Sequence, residues 1–351
     1  MDVSTAVLRR HIERSGDNAT ITEGPGFNFF DIRYSLQSDN KVAIVIPTKN
    51  HGQLLRQCID SIRRTVTRVA YDIVVIDHDS DDLETLTYLN GIGPEILVLR
   101  YSGPFNFSKI NNWAIIQLKV GYTHYLLCNN DIEAIREGWL ERMMELGQKP
   151  DVGVVGAMLY YPDGVTIQHA GVCVGAYGAA EHYAKRLRLV DAHQKLTATG
   201  RLAINHEMSA VTAACLLIRK EAFDEVNGLD AEIAVGFGDV DLCLKVLEQG
   251  YRILFCPYAE LLHHESFTRG TSTGDPHPED SDRFKNKWAD FLRAGDPYFN
   301  PGYTIHSTTW DIDLSRRFEI DIRRRVYTKG ENGSRQRVYC SSAATSVSGA
   351  V

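Results

Sequence analysis

The segment Lys41–Asn50 reads KVAIVIPTKN, and its apolar run from Val42 to Ile46 is stopped by Pro47. A continuous apolar run of this kind predicts a strand that is buried on both faces. Three further runs follow, at Tyr71–Ile76, Ile96–Leu99 and Tyr125–Cys128. Stretches with helical spacing separate them, at Leu54–Ile62, Asp82–Leu89 and Lys109–Leu118. Strands that alternate with helices predict a mostly parallel sheet flanked by helices, so we expect an α/β fold.

The composition argues against several classes of protein. The chain has 351 residues and a net charge of −7, whereas general nucleic-acid binding needs a basic surface. No stretch approaches the ~20 apolar residues of a membrane span, and the first residues lack the apolar core of a signal peptide. The seven cysteines are scattered without a C-x-x-C pair, which disfavours a disulfide framework or a cysteine zinc site. We therefore expect a cytoplasmic protein that does not bind nucleic acid.

Polar residues follow the predicted strands, at the edge where α/β sheets bind their ligands. After the first strand come Pro47, Thr48 and Asn50. A simple turn into the next helix would have the same composition, so this segment alone does not distinguish a binding loop from a turn.

The second strand ends in DHDSDD, residues 77–82, which holds four carboxylates in six positions. This loop could cap the next helix through Ser80 or Asp82. A calcium-binding EF-hand is the second alternative, but its later Gly and Glu are missing. As a functional site, the loop would offer Asp77 to a nucleotide base or ribose.

The fourth strand ends in Asn129-Asn130-Asp131, and an Asp at such a position suits a hard divalent cation with oxygen ligands. Turns also favour Asn and Asp, so this segment needs support from elsewhere in the chain. Further along, Gly236–Leu242 opens a helix with two acids in its first turn, which favours the helix dipole in any case. His263 and His264 end another apolar run, and they could be structural, complete an Asp-based metal site or form a separate zinc site.

In their order along the chain, these motifs resemble the family 2 glycosyltransferases of the GT-A fold. The resemblance is greatest to the bacterial branch that synthesises rhamnan, O-antigen and other cell-surface polysaccharides. It covers Lys41 to Pro301. The matching segments are Val45–Asn50, Val75–Asp82, Phe105–Asn112, Leu127–Asp131, Tyr161–Gly164, Gln168–Gly171, Gly238–Cys243, His263–Ser266 with Arg269-Gly270, and Asp296–Pro301.

The resemblance implies a Rossmann-like nucleotide-binding half and an acceptor-binding half. Asp131 falls where the family binds Mg²⁺ or Mn²⁺ at the donor diphosphate, and one of His263 and His264 would be a further ligand, with His264 favoured. Asp239 occupies the place of the catalytic base. The residues that would contact the nucleotide-sugar are Pro47, Thr48, Asn50, Asp77, Asp79, Asn112, Asn129, Asn130 and Arg269.

The implied reaction moves a sugar from a UDP-, dTDP- or GDP-sugar to a hydroxyl of a glycan or lipid-linked acceptor. A divalent cation would stabilise the leaving diphosphate, and one carboxylate base with direct displacement would invert the anomeric carbon. The alternatives are a non-catalytic module of the same fold and a nucleotidyltransferase. A nucleotidyltransferase would show a Gly-rich phosphate loop after the first strand, which Pro47–Gly52 is not.

Three positions depart from the family pattern. Asn129 replaces the first Asp of the D-x-D motif, Gly238 replaces an acidic or amide residue before the base, and Lys109 replaces a small residue.

In addition, we expect an N-terminal extension (1–40), a glycosyltransferase domain (41–300, divided at 131/132 into a nucleotide-sugar half and an acceptor half with a lid loop) and a C-terminal tail (301–351). The tail carries arginine runs that could touch an anionic membrane from its inner face, and Ser341–Val351 is expected to be disordered. The chain could also belong to a larger multidomain synthase.

Overall fold

The computed structural model describes residues 2–118, 121–190, 200–264, 275–314, 323–329 and 335–341. The helices are α1 (Asp2–Ser15), α2 (Gly52–Thr65), α3 (Leu83–Gly91), α4 (Phe107–Gln117), α5 (Trp139–Gly147), α6 (Lys220–Glu225), α7 (Gly238–Glu248), α8 (Pro278–Lys287) and α9 (Ala289–Ala294). In the described part of the chain, none of these helices combines the length and the apolar composition that crossing a bilayer requires.

The strands are β1 (Ala19–Glu23), β2 (Phe30–Tyr34), β3 (Lys41–Thr48), β4 (Ala70–His78), β5 (Ile96–Tyr101), β6 (His124–Cys128), β7 (Ile132–Ala134), β8 (Val152–Tyr160), β9 (Ile167–His169), β10 (Val172–Val174), β11 (Ala180–His182), β12 (His206–Glu207), β13 (Cys215–Arg219), β14 (Arg252–His263), β15 (Arg323–Lys329) and β16 (Arg335–Ser341). The four strands predicted from the apolar runs correspond to β3, β4, β5 and β6, which confirms them. Of the tail, β15 and β16 pair as an antiparallel hairpin, whereas the disorder predicted beyond Ser341 falls outside the described residues.

A ten-stranded sheet forms the centre, in the order β12-β14-β8-β13-β6-β3-β4-β5, with β7 paired to β14 and β9 to β8. As predicted, β3, β4, β5 and β6 run parallel to one another. β13 lies antiparallel between β6 and β8, and β14 runs parallel to β8. The carboxyl ends of β3, β4, β6, β8 and β14 therefore meet at one edge, together with the segment that enters β13.

Helices cover both faces of this sheet. Along β3, Val42, Ile44 and Ile46 pack into one apolar cluster, while Ala43 and Val45 pack into the other. The first cluster includes the apolar faces of α2 and α5, and the second those of α4 and α7. This alternation explains the continuous apolar run of β3, because a strand with helices on both faces has no polar side.

Residues before Lys41 form α1 and the β1–β2 hairpin, although their sequence is weakly patterned. The hairpin is held on α5 by ion pairs, Arg33 with Glu145 at 2.7 Å and Arg142 with Asp31. Structure here therefore depends on contacts with a distant helix rather than on local periodicity.

Candidate active site

A cavity of about 620 Å³ opens at the edge where the carboxyl ends of the sheet strands meet. Seven of the residues that the sequence analysis selected line this cavity: Pro47, Thr48, Asn129, Asn130, Asp131, Asp239 and His263. They come from the ends of β3, β6 and β14 and from the start of α7. The topology thus brings together residues that are far apart in the sequence.

Asp131 and His263 are in direct contact in the cavity wall. Oδ1 of Asp131 lies 3.2 Å from Nε2 of His263, which is also 3.3 Å from Nδ2 of Asn129. Burial alone would raise the pKa of Asp131, but the hydrogen bond and the electrostatic interaction with His263 outweigh it, so the pKa of Asp131 lies below the usual value. An ionised carboxylate beside an imidazole is a suitable pair of ligands for a divalent cation.

The neighbouring His264 directly follows β14, and its side chain makes different contacts. Its Nε2 lies 3.1 Å from Oε2 of Glu133, while its backbone N–H donates to the carbonyl of Asp131 at 3.0 Å. His264 is absent from the cavity lining. The structure therefore places His263 beside Asp131, whereas the resemblance favoured His264.

The described residues fit a cation that is held partly by the protein and partly by a bound nucleotide diphosphate. They hold no group of three or more His, Cys, Asp or Glu side chains arranged to hold a metal ion. Asp131 and His263 supply one oxygen and one nitrogen to the same cavity, so the remaining positions would be left to diphosphate oxygens and water. Such an arrangement is typical of Mg²⁺ and Mn²⁺ at nucleotide diphosphates.

Asp239 stands in the first turn of α7, where Phe237 adopts a left-handed backbone conformation (φ 63°) as the helix begins. Its Oδ2 accepts the N–H of Ala213 at 3.0 Å and its Oδ1 the N–H of Val240 at 2.9 Å. Two positions further on, Asp241 is completely buried and accepts Nε1–H of Trp288 at 2.8 Å. The two acids thus face different surroundings, and only Asp239 faces the cavity.

The segment Phe105–Asn112 holds the loop that leads to Asp239. Asn106 caps α4 and also donates to the carbonyl of Ala231 at 2.9 Å. Ser108 donates to the carbonyl of Ile233 at 2.7 Å.

Asn112 contacts both the N–H and the carbonyl of Leu229, at 3.0 and 2.7 Å. Asn112, predicted to bind nucleotide, is therefore outside the cavity lining and engaged in tethering this loop.

The other side of the same loop is held by Asp280 of α8. Its carboxylate accepts the N–H groups of Ala234, Val235 and Gly236 at 3.0, 2.8 and 2.9 Å. Burial would raise the pKa of Asp280, but the three donors outweigh it and lower the pKa below its usual value. No sequence signal distinguishes Asp280, because an acid in the first turn of a helix is common.

The acidic loop after β4 is organised mainly by its own contacts. Asp82 caps α3 by accepting the N–H of Thr85 at 2.8 Å, which confirms the capping alternative for this residue. Asp77 accepts the N–H of Ser80 at 3.1 Å, and Asp79 accepts the hydroxyl of Ser102 at 2.6 Å.

Asn50 joins that loop to the turn after β3. Its Oδ1 accepts the N–H of Asp81 at 2.9 Å, and its backbone N–H donates to Oγ of Ser80 at 2.9 Å. The described structure does not place Asn50, Asp77 or Asp79 in the cavity lining. Arg269 lies outside the described residues.

His78 is a cavity residue that the sequence analysis passed over. Its Nε2 lies 2.7 Å from the carbonyl of Gly103, and its ring packs 5.8 Å from Tyr101 and 5.7 Å from Phe105. His78 and Phe105 both line the cavity. The sequence signal for this position is the aromatic ring of His78 directly after Asp77.

Comparison with known proteins agrees with this geometry. The profile of glycosyl transferase family 2 matches residues 43–226, and the O-antigen biosynthesis protein RfbC of Myxococcus xanthus is 32% identical over 93% of the chain. The chain belongs to glycosyl transferase family 2. The uncharacterized protein y4gI of Sinorhizobium fredii is 37% identical over 88% of the chain. The chain spans only 34% of y4gI and 25% of RfbC.

A solved glycosyltransferase structure supports the same fold. GalNAc-T7, crystallised with UDP, GalNAc and Mn²⁺, superposes with a TM-score of 0.57 at 17% identity, over 75% of this chain and 50% of that one. At this identity the likeness concerns the fold, and it confirms the predicted GT-A arrangement for this family 2 member.

Proposed function

We propose that this family 2 glycosyltransferase is an inverting, metal-dependent enzyme that transfers a sugar from a nucleotide-sugar to a hydroxyl of a glycan or lipid-linked acceptor. The observation that carries the proposal is that Asp131, His263 and Asp239 line one cavity. Such a transfer needs two things: a pair of side chains that bind a cation, and a carboxylate that acts as the base. The occurrence of an O-antigen biosynthesis protein among the relatives supports an acceptor in bacterial surface polysaccharide synthesis.

The donor would lie between the ends of β3, β4 and β6. Asp131 and His263 would hold Mg²⁺ or Mn²⁺, and that cation would stabilise the negative charge of the leaving diphosphate. Thr48 and Asn130 are joined by a hydrogen bond of 2.9 Å from Nδ2 of Asn130 to Oγ1 of Thr48. This bond links the end of β3 to the segment after β6, where the diphosphate would lie. His78 and Phe105 would form an aromatic wall for the nucleotide base.

Asp239 would take the proton of the acceptor hydroxyl as it attacks the anomeric carbon. Two other carboxylates of the cavity lining are already engaged, Glu181 with Lys185 at 3.1 Å and Asp275 with Ser281. Since Asp131 is committed to His263, a single base and direct displacement fit this site better than a double displacement with an enzyme nucleophile. Direct displacement inverts the anomeric carbon.

The chain's surroundings in the cell follow from the same proposal. The chain spans only 34% and 25% of its two relatives y4gI and RfbC, which supports a place within a multidomain synthase. An enzyme that uses cytoplasmic nucleotide-sugars and a lipid-linked acceptor would work at the inner face of the cytoplasmic membrane, as a peripheral rather than a spanning domain.

Thermal unfolding with UDP-, dTDP- and GDP-sugars tests this proposal, with Mn²⁺ or with EDTA. A ligand that binds only the folded state raises the unfolding temperature, so one donor class should stabilise the protein with Mn²⁺ and not with EDTA. Asp131→Ala should lose this shift. Stabilisation that is equal with Mn²⁺ and with EDTA would contradict metal dependence. Binding without any hydrolysis or transfer would indicate a non-catalytic module.

A further inference from the structure

The motif Gln168–Gly171 takes no part in the reaction described above, yet it forms one wall of the same cavity. Gln168 lines the cavity, and His169 lies behind it with no exposed surface. Gly171 has φ +95°, and a Cβ atom at this position would overlap the sulfur of Met208. Only glycine fits this turn between β9 and β10, so the motif provides a fixed mount for His169.

The hydrogen bonds of His169 determine where its proton lies. Two backbone N–H groups point at its Nε2, from Gly171 at 3.2 Å and from Thr212 at 3.4 Å. Because both groups are donors, Nε2 must be the acceptor, and the proton of the neutral ring is on Nδ1. Burial, followed by the proximity of His182, lowers the pKa of His169 well below its usual value, in agreement with an uncharged ring.

The proton of His169 in turn determines the state of His182. The Nδ1 atoms of the two rings are 2.7 Å apart, and the rings are nearly perpendicular at 82°. Since His169 donates, Nδ1 of His182 accepts, and a neutral His182 carries its proton on Nε2. His182 lies on β11 and lines the cavity. Backbone groups deep in the fold therefore set the tautomer of a ring at the cavity wall.

One backbone segment connects this histidine pair to Asp239. The N–H of Thr212 donates to His169, and the next N–H along the chain, that of Ala213, donates to Oδ2 of Asp239 at 3.0 Å. These residues enter β13, whose first residue pairs with the end of β6. The histidine pair and the carboxylate are thus held in a fixed relation, on the part of the cavity where the reacting sugar carbon and the acceptor hydroxyl would meet.

We propose that His182 donates a hydrogen bond from Nε2 to a sugar hydroxyl oxygen bound beside Asp239, and that His169 is the positioning residue that holds His182 in this tautomer. A neutral N–H donor suits an uncharged hydroxyl, whereas a cationic side chain would compete for the diphosphate. His182 does not act as a second base in this state, because Nε2 already carries a proton and Nδ1 accepts from His169. This role of His182 rests on the proposed function.

Long-range ¹H–¹⁵N NMR of the free protein labelled with ¹⁵N-histidine tests the tautomers without any substrate. We expect neutral rings at pH 7, with the proton on Nδ1 of His169 and on Nε2 of His182. Signals that disappear in His169→Asn and His182→Gln assign the two rings. A charged ring at either position, or a proton on Nδ1 of His182, would overturn the proposal.

Paired ligands then show which sugar is contacted. The probes are UDP with UDP-glucose, dTDP with dTDP-rhamnose and GDP with GDP-mannose, each with Mn²⁺. Movement of the His182 Nε2–H signal by a nucleotide-sugar, but not by its nucleotide, assigns the contact to the donor sugar. If only an added methyl glycoside moves this signal, the contact is with the acceptor. A signal that none of these probes moves, although a nucleotide-sugar binds by thermal shift, would refute a sugar contact.

Activity variants distinguish this role from a structural one. His182→Gln keeps an N–H donor near the position of Nε2, whereas His182→Phe keeps the ring volume without a donor. We expect the Phe variant to lose about tenfold or more in kcat/KM for turnover of the nucleotide-sugar, and the Gln variant to recover most of it. His206→Phe, at a half-buried histidine outside the cavity lining, is the matched control and should retain the wild-type value.

Equal losses in the Gln and Phe variants of His182 would mean that shape rather than hydrogen bonding matters there. Wild-type protein that neither binds nor turns over any nucleotide-sugar would contradict the proposed function and the sugar contact together. The tautomers measured on the free protein would still stand in that case, so the two failures are distinguishable.

Discussion

Asp239 and Asp241 stand two positions apart in one helix, and their surroundings give them different tasks. Asp239 holds its carboxylate at the cavity with two backbone donors, while Asp241 is buried beneath Trp288 and Lys287. We expect Asp239→Asn to retain donor binding, since the amide is nearly isosteric, and to lose transfer by about 10²-fold or more, since an amide cannot take a proton. The nucleotide-sugar thermal shift and the transfer rate measure the two properties separately. Turnover at the wild-type rate would exclude Asp239 as the base.

His263, which ends β14, and His264, which follows it, provide a matched pair of variants. Of the two side chains, that of His263 contacts the carboxylate of Asp131, at 3.2 Å, whereas that of His264 contacts Glu133. We therefore expect His263→Ala to raise the Mn²⁺ concentration needed for half-maximal stabilisation by nucleotide-sugar by about tenfold or more, and His264→Ala to change it little. Titration of Mn²⁺ at a fixed nucleotide-sugar concentration measures both. The opposite ranking would transfer the ligand role to His264.

Individual site residues were predictable where a chemically suitable side chain stands next to the end of a predicted strand or the start of a predicted helix. Asp131 follows closely on a buried strand, and Asp239 opens a helix after a glycine-rich turn, so both could be selected from the sequence. The choice between His263 and His264 could not, because it depends on which of the two side chains points toward Asp131 in the segment after β6. The tethering role of Asn112 depends on a loop more than a hundred residues away in the chain, which no local pattern indicates.

At the scale of elements, the loop before α7 is fastened from two sides. Asn106 and Ser108 of the α4 segment hold it through carbonyl groups, and Asp280 of α8 holds it through three N–H groups. Because the loop leads directly to Asp239, its position sets the position of the carboxylate that we propose as the base.

Asp280→Asn should lower the free energy of unfolding by about 1–3 kcal/mol, because one carboxylate oxygen becomes an N–H donor that faces N–H groups. Transfer should fall while donor binding is retained. The pKa of Asp280 is lower in the folded protein than its usual value, so its stabilisation is complete above the usual Asp range and is lost as the pH falls through the folded pKa. The stability difference between wild type and variant should therefore shrink in acid. Asp282→Asn, an exposed position of the same helix, is the control for urea unfolding at several pH values.

The parallel strands β3 to β6 were predictable because burial on both faces leaves a continuous apolar run. The antiparallel direction of β13 was not, because its sequence is equally apolar and the direction of a strand depends on its connections. This reversal matters for the site, since it brings Thr212 and Ala213 to the edge where the parallel strands end.

At the scale of the whole molecule, the residues before β3 are attached to the half of the domain that follows β6. The domain boundaries at residues 40 and 300 remain predictions. An ion-pair network spans the first boundary and joins residues on its two sides. Glu145 is 3% exposed in its side chain and contacts both Arg33, at 2.7 Å, and Arg142, at 3.2 Å. Arg142 also pairs with Asp31 of the hairpin. A buried carboxylate between two guanidinium groups is costly to leave with fewer partners.

Arg33→Met should therefore lower the free energy of unfolding by about 1–3 kcal/mol, because Glu145 keeps only Arg142 while the Met stem preserves apolar packing. The hairpin does not line the cavity, so nucleotide-sugar should still stabilise the variant by the same increment as the wild type. Arg10→Met, on the exposed face of α1, is the matched control in urea unfolding. Equal stability of the two variants would show that the N-terminal segment adds no stability through Glu145. A loss of the nucleotide-sugar increment would instead show that this segment acts on the site through α5.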